Sequence, residues 1–221
     1  MNKRQIINKV KEYIEKNFKG EPTGHDRWHT FRVWQMAKKI AQKEGGDLFL
    51  IELGALLHDI ADWKFYDGDF KVGSKKAENL LKKLKVDEKT IKKVCHIVNN
   101  VSFKGAGVKN GIKTKEGKIV QDADRLDVIG AVGIARTFAY GGYKGREIYN
   151  PGIKPKLHKS FKAYKDGKTT SINHFYEKLL LLKDRLNTKT AKKIAQSRHK
   201  FLEDYLKQFF KEWKVEIKGN L

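Results

Sequence analysis

The sequence predicts an all-α protein. Apolar residues recur at intervals of three and four over most of the chain, the spacing that keeps one face of a helix buried. Only three prolines occur among the 221 residues, and long proline-free segments favour helices because proline removes a backbone donor. Few segments alternate apolar and polar residues as a half-buried β-strand would.

The first helix is predicted over residues 3–18. Its apolar stripe consists of Ile6, Ile7, Val10, Tyr13, Ile14 and Phe18. Two glycines and a proline in segment 20–24 end this helix and predict a turn.

The second helix is predicted from Arg27 to Glu44, where the same periodicity places His29 on the inward face near the helix start. A pair of glycines ends it. Asp47 is a suitable N-cap for a third, strongly apolar helix that runs to about Asp62.

The middle of the chain predicts three more helices, over 70–84, 87–101 and 119–140, with Asp87 capping the second of them. A loop rich in glycine and lysine occupies 103–118. The helix at 119–140 is strongly apolar but contains three aspartates, Asp122, Asp124 and Asp127.

A long polar stretch at 141–170 predicts a loop or lid, because structureless segments of that length are uncommon unless functional. Helices are predicted again over about 171–186 and 188–213. We find no internal repeat, so residues 1–221 are predicted to form a single domain.

The chain is strongly basic, with a formal net charge of +22. A basic surface can attract nucleic acid or small polyanions, but the lysines are scattered without a long run, which favours a solvated surface. A single cysteine excludes an intrachain disulfide, and no segment has an apolar signal core or the length of a membrane span. We therefore expect a cytoplasmic protein that does not bind membranes.

Two histidines and two aspartates on apolar helices form the most informative pattern: His29, His58, Asp59 and Asp124. Buried ionised aspartates are costly unless they are paired or bind a metal. Any one of these residues alone is more often structural, but together they favour a metal site. Mixed imidazole and carboxylate ligands suit Mn, Fe, Ni, Co or Zn better than Ca or Mg.

This ordered pattern resembles that of the HD-domain metal-dependent phosphohydrolases, and more closely a bacterial subfamily of stand-alone HD proteins. The resemblance spans about 24–200. The segments that carry it are Gly24 to His29, Leu56 to Asp62, Gly117 to Asp127, Gly130 to Phe138 and His174 to Leu180. It implies an all-α HD-domain helical bundle with additional C-terminal helices, and hydrolysis of phosphate esters or anhydrides. Some relatives hydrolyse nucleoside triphosphates, including deoxynucleoside triphosphates, to monophosphate and pyrophosphate.

The resemblance also implies roles for individual residues. His29, His58, Asp59 and Asp124 would bind one divalent metal, with manganese expected first. Asp62 would orient or deprotonate the attacking water, and an equally good interpretation is a structural carboxylate.

Two further catalytic candidates follow from the sequence. Lys64 is a candidate to hold a phosphate, although a solvated lysine is the more frequent case in so basic a chain. His96 lies in an apolar pattern with Val94, Ile97 and Val101, and is a candidate substrate contact, general acid or second metal ligand, or a core histidine.

Candidate substrate-binding residues are Arg125, Tyr140 and Arg146. Arg125 can contact a phosphate or pair with a neighbouring aspartate. The run from Tyr140 to Arg146 combines aromatics, glycines and cations, which suits a lid that stacks a base and holds phosphates, or a plain surface loop. Neither a P-loop nor a Rossmann glycine pattern occurs.

The leading hypothesis is a divalent-metal phosphohydrolase that converts nucleoside triphosphates to monophosphate and pyrophosphate. A nucleotide phosphomonoesterase or phosphodiesterase is the enzymatic alternative. A basic nucleic-acid-binding protein with a degenerate HD site is less favoured, because all four ligand residues are present and no helix-turn-helix or zinc-finger spacing accompanies the charge.

Overall fold

A computed structural model describes residues 1–18, 26–61, 71–160, 162–163 and 167–213, and within these ranges the chain is helical and contains no β-strand. The α-helices are α1 (Lys3–Asn17), α2 (Arg27–Glu44), α3 (Leu48–Leu57), α4 (Val72–Lys83), α5 (Glu88–Asn100), α6 (Lys115–Asp127), α7 (Ala131–Tyr143), α8 (Ser171–Glu177) and α9 (Lys189–Trp213). The predicted all-α class is confirmed. Among these helices, none is both long and apolar enough to cross a bilayer.

The apolar helix α3 lies at the centre of the molecule and packs against α1, α2, α5 and α6. Its residues Leu53, Leu56 and Leu57 are fully buried, and burial of each such side chain contributes about 1.5–3 kcal/mol. At Gly54 a β-carbon would lie only 3.1 Å from Ile97, so α5 packs closely against α3. This packing fixes the end of α3, which carries His58.

The predicted helix over 119–140 is wrong as a single element. The structure divides it into α6 and α7, which are joined by a short turn ending at Gly130 with φ of +82°. Glycine suits this left-handed conformation, and a β-carbon there would lie 3.2 Å from the side chain of Arg198 on α9. α6 also begins earlier than predicted, because the Thr114 side chain caps it by accepting the N–H of Gly117 at 3.1 Å.

The predicted loop at 141–170 is shorter than expected, because α7 continues to Tyr143. Two backbone hydrogen bonds then tie the loop to α8, from Ser171 to Glu147 and from Ile172 to Ile148. The buried carboxylate of Glu177 adds two more contacts, accepting the Lys156 N–H and the Thr169 hydroxyl. The described part of the loop is therefore anchored to α8 and Glu177. That this loop acts as a lid stays a prediction.

Two other helix ends differ from the sequence prediction. Regular α-helix ends at Leu57 in α3, and residues 58–61 form a turn instead of a further helical turn. The predicted helix over 171–186 is regular only in α8, and two 3₁₀ turns, Leu179–Leu181 and Lys183–Arg185, follow it.

Asp122 joins α6 to the start of α9. Its carboxylate is fully buried and accepts four hydrogen bonds, from the backbone and side chain of Asn187 and of Thr188, at 2.7–2.8 Å. A buried carboxylate with this many donors is a structural clamp, because removing it would take the charged acceptor from four partly buried donors at once.

We expect Asp122→Ala to lower the free energy of unfolding by about 3 kcal/mol, since four partly buried donors lose a charged acceptor. Urea denaturation followed by circular dichroism measures the change. The control is Asp87→Ala, which removes a carboxylate that caps α5 in an exposed position. Equal losses in the two variants would contradict the role of Asp122 as a clamp.

Candidate metal centre

The four predicted ligand residues converge on one point. His29 Nε2 lies 3.1 Å from His58 Nε2 and 3.4 Å from an Asp59 carboxylate oxygen. The same oxygen of Asp59 lies 3.5 Å from His58 Nε2. Asp124 completes the group, with one oxygen 3.7 Å from His29 Nε2 and 3.8 Å from His58 Nε2.

Helix ends place these side chains. His29 occupies the first turn of α2, where the Asp26 side chain caps the helix by accepting the His29 N–H at 2.8 Å. His58 is the residue that ends α3, and Asp59 follows in the turn. Asp124 belongs to the last turn of α6. The packing of α2, α3 and α6 around a common core therefore brings the four together.

Hydrogen bonds fix the tautomers of both histidines. His58 Nδ1 lies 2.8 Å from the Ala55 carbonyl oxygen, which can only accept, so His58 carries its proton there. His29 Nδ1 lies 2.7 Å from an Asp127 oxygen and donates in the same way. Both Nε2 lone pairs then face each other at 3.1 Å, together with two carboxylates. Such a cluster needs a proton or a metal cation between its members.

The acidic neighbours of His29 raise its pKa, which means that they favour a positive charge on the imidazole. Burial and the positive charge of Arg136 both lower this pKa, but hydrogen bonds to Asp127 and Asp59 outweigh them and raise it above its ordinary value.

Asp127 accepts a hydrogen bond from His29 Nδ1, on the side of the ring away from the metal centre, and itself accepts hydrogen bonds from two arginines. Arg32 donates through Nε at 2.7 Å and through Nη2 at 3.0 Å, and Arg136 donates at 3.0 Å. Burial raises the pKa of Asp127, but the hydrogen bonds from His29 and Arg32 and the charge of Arg136 outweigh it and hold the pKa far below its usual range. The carboxylate therefore stays ionised and orients the imidazole, as partners of metal-binding histidines commonly do.

Asp127 lies one turn after Asp124 in the sequence, which is the spacing of a residue that can support a neighbouring ligand, but the sequence did not reveal the two arginines. Arg32 lies three residues after His29, so both project from the same side of α2, and this spacing was the available signal. Arg136 belongs to the next helix, and only the turn at Gly130 brings it back to Asp127.

The donor set fits a first-row transition metal. Bonds of about 2.1 Å place neighbouring ligand atoms about 3.0–3.5 Å apart. The ligand atoms of His29, His58 and Asp59 lie 3.1–3.5 Å from one another, and Asp124 lies slightly farther out, 3.7–3.8 Å from the two Nε2 atoms. The side chains of His29 and His58 are essentially inaccessible, whereas those of Asp59 and Asp124 keep 14% and 17% of their exposure. The site is thus closed on the histidine side and open beside the carboxylates, where a catalytic metal needs free positions.

His96 does not join this group. The expectation that it lies on the apolar face of α5 is wrong, because Val94, Ile97 and Val98 form the buried stripe and His96 is exposed. Its ring nitrogen lies 3.4 Å from the Asn100 side-chain amide. The other two predicted catalytic residues, Asp62 and Lys64, lie outside the described residues.

Arg125 lies one residue beyond Asp124 but points elsewhere. It is buried and donates to the Arg185 carbonyl oxygen, while its Nε atom has no hydrogen-bond partner among the described residues. Arg125 and Arg185 help to line a cavity of about 330 Å³, together with Lys104 and Lys109. Burial lowers the pKa of Lys104. The described lining includes no carboxylate, so this cavity suits an anion.

Tyr140 and Arg146 are close to each other at the end of α7. The Arg146 guanidinium lies 5.5 Å from the centre of the Tyr140 ring, and Lys144 lies 5.9 Å from it. The two predicted substrate-binding residues thus form one patch in which cations cover the aromatic ring. Tyr143 beside them is half exposed.

Comparisons with known proteins agree with this geometry. The HD domain family model matches residues 28–129, a range that contains all four ligand candidates. YpgQ of Bacillus subtilis is 35% identical over 214 residues, which are 96% of each chain. The structure of YpgQ in complex with ADP covers 95% of this chain and 98% of that chain, with a TM-score of 0.74.

Two other solved structures are similar over nearly their whole length. A protein of Lactobacillus plantarum has 33% identity and a TM-score of 0.87, with 98% of this chain and 100% of that chain covered. An HD-superfamily hydrolase of Bacillus thuringiensis has 43% identity and a TM-score of 0.71, with 97% and 100% covered. Together with the converging histidines and aspartates, these similarities show that the chain belongs to the HD-domain family of metal-dependent phosphohydrolases.

Proposed function

We propose that this protein hydrolyses nucleoside or deoxynucleoside triphosphates to the monophosphate and pyrophosphate. It would use one divalent transition metal, manganese first among them, held by His29, His58, Asp59 and Asp124, and would act in the cytoplasm. The observation that carries the proposal is the convergence on the two imidazoles: their Nε2 atoms lie 3.1 Å apart, and one oxygen each of Asp59 and Asp124 lies 3.4–3.8 Å from both.

A bound metal would supply a water of lowered pKa and neutralise charge on a phosphoryl oxygen. The protein's own residues would orient the metal ligands and leave the side of the carboxylates open to the substrate. Asp127 and the Ala55 carbonyl hold the two imidazoles in the tautomer that binds a metal. Asp62, three residues after Asp59, is our candidate for the carboxylate that takes the proton of the attacking water.

Phosphates require cations at the place where they bind. The cavity at Arg125, with Lys104, Lys109 and Arg185, offers several positive charges and no described carboxylate. Lys64 and Arg146 are further candidates for the same task. A pyrophosphate whose charge is neutralised in this way is a good leaving group, which favours attack at the α-phosphate.

A nucleotide as substrate is supported by the similarity to YpgQ, whose structure has been solved in complex with ADP. The patch of Tyr140, Tyr143 and Arg146 offers a surface on which a base could stack. Base preference would depend on that surface, because in the proposed pose the metal centre would contact only phosphate.

Hydrolysis in ¹⁸O-labelled water tests the proposal. With manganese and a nucleoside triphosphate, we expect monophosphate and pyrophosphate in equal amounts, little orthophosphate, and the label on the monophosphate, since the water attacks the α-phosphorus. Mass spectrometry of the products gives the answer. Orthophosphate as the main product, with the label in it, would instead assign the protein to the nucleotide phosphomonoesterases.

A further inference from the structure

A second cavity, of about 740 Å³, lies between α2, the turn that joins α6 to α7, and α9. Its wall is mainly apolar and includes Trp28, Phe31, Met36, Ile129 and Val132. The lining contains none of the four ligand candidates of the metal centre. A mostly apolar cavity of this volume is typical of small-molecule sites, which measure about 300–1,000 Å³.

The polar part of this cavity is cationic. Arg32, Lys39 and Arg198 contribute three positive charges, and the only carboxylate of the described lining is Asp127. Both oxygens of Asp127 already accept hydrogen bonds from arginine side chains. The cavity therefore complements an anion.

Aromatic and apolar groups remain exposed at this place. Trp28 is 56% exposed and Val132 is 43% exposed, although both are large hydrophobic residues. The ring of Trp28 meets that of Phe31 edge to face, with centroids 6.2 Å apart. An exposed tryptophan beside an apolar cavity provides a surface for a flat ring.

A direct chain of contacts joins this cavity to the metal centre. Arg32 lines the cavity and donates two hydrogen bonds to Asp127, whose oxygen lies 2.7 Å from His29 Nδ1. An anion that draws the Arg32 guanidinium into the cavity would weaken the two hydrogen bonds that Arg32 donates to Asp127. The orientation of His29 depends on Asp127, so an occupant of the cavity would change the affinity of the centre for a metal.

We propose that this cavity is a second ligand site, for a small anion with a flat aromatic body, and that its occupant weakens metal binding through Arg32 and Asp127. The binding part is independent of the substrate. The coupling part rests on the metal centre of the proposed function.

The probe is 8-anilinonaphthalene-1-sulfonate, an anion with a flat aromatic body, followed by its fluorescence. The wild-type chain is expected to bind one molecule, and Val132→Asp to weaken that binding at least about tenfold, because it adds a negative charge at the cavity wall. The control is Leu157→Asp, the same change at an exposed apolar residue elsewhere, 63% exposed. Circular dichroism checks that both variants are folded.

Unchanged probe binding in Val132→Asp would overturn the site. So would a wild-type dimer in sedimentation that Val132→Asp dissociates, because the cavity would then belong to an interface between two copies. Calorimetric titration with manganese tests the coupling: saturating probe is expected to weaken manganese binding about fivefold or more, and manganese to weaken probe binding by the same factor. Equal manganese affinities with and without probe would overturn the coupling.

These measurements use no turnover, so an absence of triphosphate hydrolysis would leave the ligand site standing. A wild-type chain that binds the probe but no manganese would reject the proposed metal centre and, with it, the coupling.

Discussion

Asp59→Ala is expected to abolish stoichiometric manganese binding and nearly all hydrolysis, while leaving the helical content unchanged. In the proposed site Asp59 would supply one of the four donor atoms, and its oxygen lies nearer than that of Asp124 to both His29 Nε2 and His58 Nε2. Without it two neutral imidazoles and one carboxylate remain, and a transition-metal site weakens strongly when a ligand is lost. Asp59 follows α3 in a turn, so the helix itself does not need the carboxylate.

Bound metal is measured by elemental analysis after gel filtration, and helicity by circular dichroism. His58→Ala should behave in the same way, because His58 provides one of the two lone pairs. The control is Asp204→Ala, an exposed aspartate on α9 that pairs only with Lys200 among described residues. Wild-type turnover of Asp59→Ala at saturating manganese would remove Asp59 from the proposed ligand set.

Asp127→Asn is expected to weaken manganese binding about 10- to 100-fold, the usual effect of losing the carboxylate that orients a metal-binding histidine. The change keeps the size of the side chain but removes the charge that accepts from His29, Arg32 and Arg136. One amide oxygen cannot serve all three donors, and the amide nitrogen would face a donor.

A matched control exists at the start of α2, the helix that carries His29. Asp26→Asn makes the same change where the carboxylate only caps α2, by accepting the His29 backbone N–H. Asparagine caps helices as well as aspartate does, so manganese binding should stay within about twofold of wild type. Competition with a chelator measures both variants, and equal affinities would show that the charge of Asp127 does not act on the metal.

The sequence predicted which four residues converge better than it predicted the helices that carry them. His29, His58, Asp59 and Asp124 were identifiable because charged and ligating groups are rare on apolar helical stripes, and the structure brings all four together. Their number and order carried the prediction, since each is ambiguous alone.

The turn at Gly130 could not be predicted from periodicity, because apolar residues continue at helical spacing on both sides of it. At the break, Gly130 packs closely against Arg198, which is more than sixty residues away in the chain and which helical periodicity does not reveal. His96 shows the same limit. Its neighbours in sequence are apolar, but the boundary between the buried and exposed faces of α5 is set by packing against α3 and α4.

The three aspartates of α6 contact three different parts of the molecule. Asp122 holds the start of α9, Asp124 faces the two histidines, and Asp127 holds His29 and two arginines. One residue inserted between Asp122 and Asp127 would rotate one side of the helix relative to the other by about 100°. Insertions and deletions should therefore be excluded from this segment during divergence, whereas the loop before Thr114 can change length without altering the spacing of the three.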